Sequence, residues 1–189
     1  MRGWRYALAL LNVLWLLTLF LTFLYLLTIQ EGIGFHNRNP KRAVSLFLIA
    51  AEAGHPGAQC ALGLCYDTGK GTSANMQQAV RYYHLAAAQD YAPALVNLGI
   101  CCYYGEGVVQ DRVAAIEYYE QAAELGHATG QFNLGVCYSS GEVEGCGGGA
   151  RGGAGAGEEV GVRWVRRAAM QGYKPALEYL DKYHISLYH

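Results

Sequence analysis

Two hydrophobic patterns divide the chain. From Ala7 to Ile29 apolar residues run without a charge, interrupted only by Asn12, Thr18, Thr22 and Thr28. Further on, apolar residues recur at helical spacing instead. Ala58, Leu62, Cys65 and Tyr66 fall at i, i+4, i+7 and i+8, one face of a helix predicted from about Ala58 to Tyr66. Gly69 and Gly71 then supply the positive-φ positions that end a helix. A second helix is predicted from Asn75, a good N-cap with Gln78 at box-like spacing, through Ala79, Tyr82, Tyr83, Ala86 and Ala87. Asp111 opens its equivalent further along the chain.

The first pattern predicts a transmembrane helix over residues 7–29. As a helix it spans about 34 Å, enough for a hydrocarbon core about 30 Å thick. Arg2 and Arg5 precede it, and Trp4 and Tyr6 stand where aromatic belts favour headgroups. A cleaved signal peptide and a buried soluble helix are the competing readings. The apolar run is longer than a signal peptide's roughly 7–15 residues, and the only small residues, Gly32-Ile33-Gly34, lie past its end. Arg38, Lys41 and Arg42 follow the span, so the positive-inside comparison is tied.

The second pattern is a repeat. Leu62, Leu98 and Leu134 are 36 residues apart, as are Gly63, Gly99 and Gly135, Cys65, Cys101 and Cys137, and Gly69, Gly105 and Gly141. The strings read ALGLCYDTGKG, NLGICCYYGEG and NLGVCYSSGEV. Ala79 pairs with Ala115, Tyr83 with Tyr119, and Ala86-Ala87 with Ala122-Ala123; stepping back gives Ala43 and Ala50-Ala51. Gly63 and its copies lie inside a helix, where glycine costs about 1 kcal/mol relative to alanine. Close approach of the partner helix is the expected return. Gly54, Gly126 and Gly172 close the second helices, whereas Asp90 breaks that pattern.

A-x-x-x-L-G-x-x-Y-x-x-G-x-G followed by D-x-x-x-A-x-x-Y-Y-x-x-A-A-x-x-G resembles the Sel-1-like repeat, a relative of the tetratricopeptide repeat, over about Arg38 to Tyr183. The fold expected is all-α: the N-terminal membrane helix, then a short α-solenoid of helix-turn-helix units. Its parts are a half repeat at 38–57, repeats at 58–93, 94–129 and 130–175, and a capping helix at 176–188 whose Asp181 stands at the internal glycine position. The third repeat is ten residues long in excess, through a glycine-rich insertion at 142–161. Eight of the thirteen residues from Gly145 to Gly157 are glycine, which predicts a mobile loop. Gly161 replaces the alanine of the second helix, which predicts fraying there.

Little in the chain points to chemistry. Cys65, Cys101 and Cys137 share one buried register, about 10 Å apart in stacked helices and beyond the ~7 Å Cα limit for bridging. Cys60, Cys102 and Cys146 share none, so core thiols are expected throughout. Bacterial cysteine-rich members of the resembled family pair cysteines across both helices; Ala-Ala stands there here, and the penicillin-binding activity reported for them has no support. His55 and His127 occupy the corner position held by Tyr91 and Tyr173 and read as packing rings, while His36, His84, His184 and His189 are scattered. No H-E-x-x-H, CxxC pair or nucleophile elbow occurs, and the glycine-rich stretch follows no strand. No enzyme, metal, cofactor or small-molecule substrate is expected. A net charge of −1 excludes a polybasic nucleic-acid binder.

The first helices carry an apolar strip on the side opposite Leu62. Counting 100° per residue it reads Cys60, Leu64 and Asp67, then Val96, Ile100 and Tyr103, then Phe132, Val136 and Ser139. It is the candidate partner-binding surface, expected on the concave side of a solenoid; burial between neighbouring first helices is the alternative. Arg163, Arg166, Arg167 and Lys174 form a basic cluster that reads as a solvated face. The resemblance implies an adaptor or scaffold, since related proteins serve in endoplasmic reticulum degradation complexes and signalling assemblies. A single-pass endomembrane protein that binds protein partners is the reading; a secreted or lumenal repeat protein, and less so a repeat-family hydrolase, are the alternatives.

Overall fold

A computed structural model describes residues 39–141 and 154–187. Among them are eight helices and no strand. They are α1 (Pro40–Glu52), α2 (Pro56–Thr68), α3 (Met76–Ala87), α4 (Ala92–Tyr104), α5 (Arg112–Glu124), α6 (Ala128–Ser139), α7 (Ala154–Met170) and α8 (Lys174–Lys182). The even-numbered helices are the first helices of the repeats, the odd-numbered ones the second. They fall into two compact units, one ending at Ala74 and one beginning at Asn75, with the boundary inside the 58–93 repeat. The predicted membrane helix at 7–29 and Cys146 lie outside the described residues. No described helix is long and apolar enough to cross a membrane.

Local signals recur with the period. The second helices start at Asn39, Asn75 and Asp111, whose side chains accept from Arg42 N (3.2 Å), Gln78 N (3.1 Å), and Val113 N and Ala114 N (both 3.0 Å). They end in one motif, in which the amide five residues on returns to a carbonyl of the last turn. His55 N donates to Ala50 O, Tyr91 N to Ala86 O, His127 N to Ala122 O and Tyr173 N to Ala168 O. Asp90 departs from the glycine pattern in composition but not in conformation: its φ is +55°, in the region Gly54, Gly126 and Gly172 occupy. Gly107 combines a φ of +73° with close approach, since a Cβ there would stand 2.9 Å from the Met76 backbone.

In the first unit α1 packs on α2, burying Ala43, Phe47, Ala50 and Ala51 against Ala58, Leu62 and Cys65. In the second, consecutive helices from α3 to α8 pack side by side, a short α-solenoid in which each sequence neighbour is also a spatial one. The internal glycines return what was expected. A Cβ on Gly99 would enter the Tyr119 ring, 2.7 Å from Cδ1, and one on Gly135 would meet Gly161 O and Val165 Cγ2 at 2.7 Å.

Two expectations are corrected. The helix predicted to fray at Gly161 is a regular 17-residue helix, and the predicted insertion at 142–161 gives up 154–161 to it. Gly161 is buried, and a Cβ on it would stand 2.8 Å from Ser139 N. Packing of two backbones overrides its poor propensity. The capping helix predicted over 176–188 runs instead from Lys174 to Lys182. Beyond it His184 turns left-handed (φ +54°), Ile185 N donates to Leu180 O (2.9 Å), and Ile185 and Leu187 fold onto Val165, Ala168, Ala176 and Leu180. The segment after α8 thus covers the apolar edge of this cluster.

Candidate functional site

The first helices are apolar on more than one side, which is why α4 (APALVNLGICCYY) buries Ala94, Leu95, Val96, Leu98, Cys101 and Cys102 together. Their spacing sets what remains at the surface. Ile100 and Val136 share one register, are half-buried, and lie on α4 and α6, which touch. Asn97 and Asn133, one turn earlier at another shared register, are half-buried too. Tyr103 is half-buried, with the Tyr104 ring edge-on at 5.0 Å and the Arg112 guanidinium 5.1 Å from its centroid. Tyr104 itself is 66% exposed.

The predicted strip is thus divided. Ile100, Tyr103 and Val136 are each half-buried, Ile100 packing on the clusters around both Leu95 and Tyr119 and Tyr103 on the latter. Val96 is 4% exposed and packs with Leu95 and Ala122, so it is core. Phe132 is half-buried, but its ring joins Tyr173 (5.6 Å) and Tyr179 (6.0 Å) in the closing cluster. In the first unit Leu64 is 43% exposed, Asp67 half-buried and Cys60 buried. Ser139 is half-buried, its hydroxyl enclosed without a hydrogen-bond partner.

Burial shifts several titratable groups of the two units toward their uncharged forms. Burial, then Asp111, pushes the Cys102 thiol up, and burial raises Cys65 against the opposing pull of Lys70. Tyr119 is pushed far up by burial, with Cys137 and the neighbouring tyrosines adding to it. Cys60, Cys65, Cys101, Cys102 and Cys137 are buried thiols. A thiol kept from ionising is a poor nucleophile and a poor metal ligand. Among the described residues no three His, Cys, Asp or Glu side chains converge to hold a metal.

The corner histidines do more than pack. His55 caps α2, its Nδ1 accepting from Ala58 N (3.3 Å). His127 occupies the same place on α6, but its Nδ1 is buried without a partner and burial holds its pKa down. Two buried glutamines were not foreseen. Gln59 Nε2 donates to Ala51 O (3.2 Å) and Gln131 Nε2 to Ala123 O (3.3 Å). The signal was an identical polar residue two periods apart, with Leu95 between. The asparagine pair carried the same signal in the repeated N-L-G.

Family comparison agrees with the architecture. The Sel1 repeat model matches residues 27–55, 56–91, 92–127 and 128–173. The Sel1 repeat protein from Oxalobacter formigenes is similar in structure, with a TM-score of 0.67 at 26% identity over 85% of this chain and 62% of that one. The immunity protein Pa5087 from Pseudomonas aeruginosa gives 0.60 at 22% identity, over 85% and 58%. The chain therefore spans less than two thirds of the length of either. No curated protein matches it.

Proposed function

The chain belongs to the Sel1 repeat family, and from that premise we propose that it is an adaptor holding a protein partner at an endomembrane. Repeats of this kind are protein-interaction scaffolds, and the reading assigns the chain no catalytic step. It is supported by the repeated register of Ile100 with Val136 and of Asn97 with Asn133, all half-buried on two first helices that touch. Aliphatic contacts flanked by amides suit an extended or helical peptide segment. The apolar run Ala7–Ile29 is the basis for placing the protein at a membrane, where confinement raises the effective concentration of a captured partner.

Photo-crosslinkers at positions 100, 136 and, as a control, the exposed Gln89 test the surface in membranes. A defined adduct at 100 and 136, absent at 89 and lost in Val136→Glu or Ile100→Glu with helicity unchanged, is expected. Equal adducts at all three positions overturn the reading. Protease protection in sealed microsomes tests the anchor: a chain about 30 residues short would mean a cleaved leader.

A further inference from the structure

The solvent faces of the second helices carry charges that invert from one repeat to the next. In α5 the face opposite the buried Ala115, Tyr119 and Ala122 presents Glu117, Gln121 and Glu124, all exposed. The same register in α7 presents Arg163, Arg167 and Met170, also exposed, opposite Gly161, Val165 and Ala168, with the exposed Glu159 one turn before Arg163. Arg167 lies over the Trp164 ring at 4.5 Å, which fixes its guanidinium at the surface. Neither glutamate and neither arginine forms an ion pair with a described residue. Elsewhere in the cluster Arg166 is committed, donating from Nε to Ser186 O (2.7 Å), and Lys174 stands 3.6 Å from Glu178.

We infer that this face is where a second copy of the chain docks, α5 of each copy lying on α7 of the other. The symmetry follows from the register. Both helices pack on α6, and the helix-turn-helix repeat gives them one direction. A two-fold axis parallel to the helices and between them sets α5 against the partner's α7 at the same level. Such an interface is isologous, so one face supplies both halves of every pair. Position 117 then meets 163, and 124 comes within a turn of 167. An acidic peptide would fit Arg163 and Arg167 less well, because it would lie beside Glu117 and Glu124 as well. Solvated ion pairs are individually weak, so the association is salt-sensitive and modest in free solution. The inference uses a different face from the adaptor surface and does not depend on it.

Sedimentation equilibrium of the full chain in density-matched detergent tests it. A monomer–dimer equilibrium is expected, with a dissociation constant rising at least about tenfold between low and high salt. The variant with Glu117→Arg and Glu124→Arg, and that with Arg163→Glu and Arg167→Glu, are each monomeric because the positions that meet then carry like charges. Mixed in equal amounts the two variants form a heterodimer. Loss in each variant without recovery on mixing overturns the inference. So does dimerisation that neither variant changes, which would place the contact in another face or in residues 7–29. A monomer at every concentration overturns it, and a monomer that binds a polyglutamate peptide reassigns the basic stripe to an acidic partner.

Discussion

Replacing Gly135 with alanine tests how the third repeat is held together. The added Cβ would stand 2.7 Å from Gly161 O, 2.7 Å from Val165 Cγ2 and 3.0 Å from Val165 N. Two of the three are backbone atoms of α7, which cannot rotate away, so α6 and α7 must separate. Overpacking a core by one methyl costs about 1–3 kcal/mol, and a backbone obstacle belongs at the upper end. Alanine returns about 1 kcal/mol of helix propensity. The net expectation is a loss of about 2 kcal/mol, read as a lowered urea midpoint at unchanged slope by far-ultraviolet circular dichroism. Gly99→Ala meets the Tyr119 ring instead and is the matched comparison, expected to cost less because a side chain can shift. A Gly135→Ala protein as stable as the parent would refute the argument that close approach retains this glycine.

Three further outcomes follow from the corners of the repeats. Burial holds His127 below its ordinary 6.5, so on acidification the unfolded chain takes up this proton first. The stability it contributes is complete above 6.5 and is lost as pH falls toward the folded value; denaturant midpoints between about pH 7 and 5.5 should show a loss that His127→Tyr removes. Asp90→Gly should stabilise by about 0.5–1 kcal/mol in thermal unfolding, because the native φ of +55° is strained for an L-residue; a loss would mean that the Asp90 side chain contributes to the turn. Gln131→Ala should cost about 1–3 kcal/mol by leaving Ala123 O and Gln171 Nε2 without that partner, whereas the exposed Gln171→Ala should cost under about 1 kcal/mol.

Period and punctuation were legible because each repeat solves the same packing problem with the same small residues. Leu62, Leu98 and Leu134 are core, the asparagine and aspartate caps stand where they were expected, and Gly99 and Gly135 mark close contacts. The burial of the predicted strip was harder to read. Counting 100° per residue treats a first helix as having one buried face, but α4 is covered on more than one side and Val96 falls under the second cover. Phe132 was misjudged for a related reason: Tyr173 and Tyr179, remote in sequence, reach it from the closing turn and helix. The order of α7 was hidden by its glycines. Propensity counts what a residue does to an isolated helix, while Gly161 acts through what its missing Cβ lets Ser139 and Gly135 do.

The third repeat separates folding from chain length. Gly141 turns left-handed at the end of its first helix as Gly69 and Gly105 do, and α7 re-enters the same register. Between the two helices the connection has grown from the seven residues 105–111 to the fourteen residues 140–153. Doubling the length of a loop costs only about 0.6 kcal/mol of closure entropy. Mutual fit of α6 and α7, rather than the tether, sets their geometry. Splicing a reporter or an affinity module between Gly141 and Ala154 should therefore leave the packing of α6 on α7 unchanged.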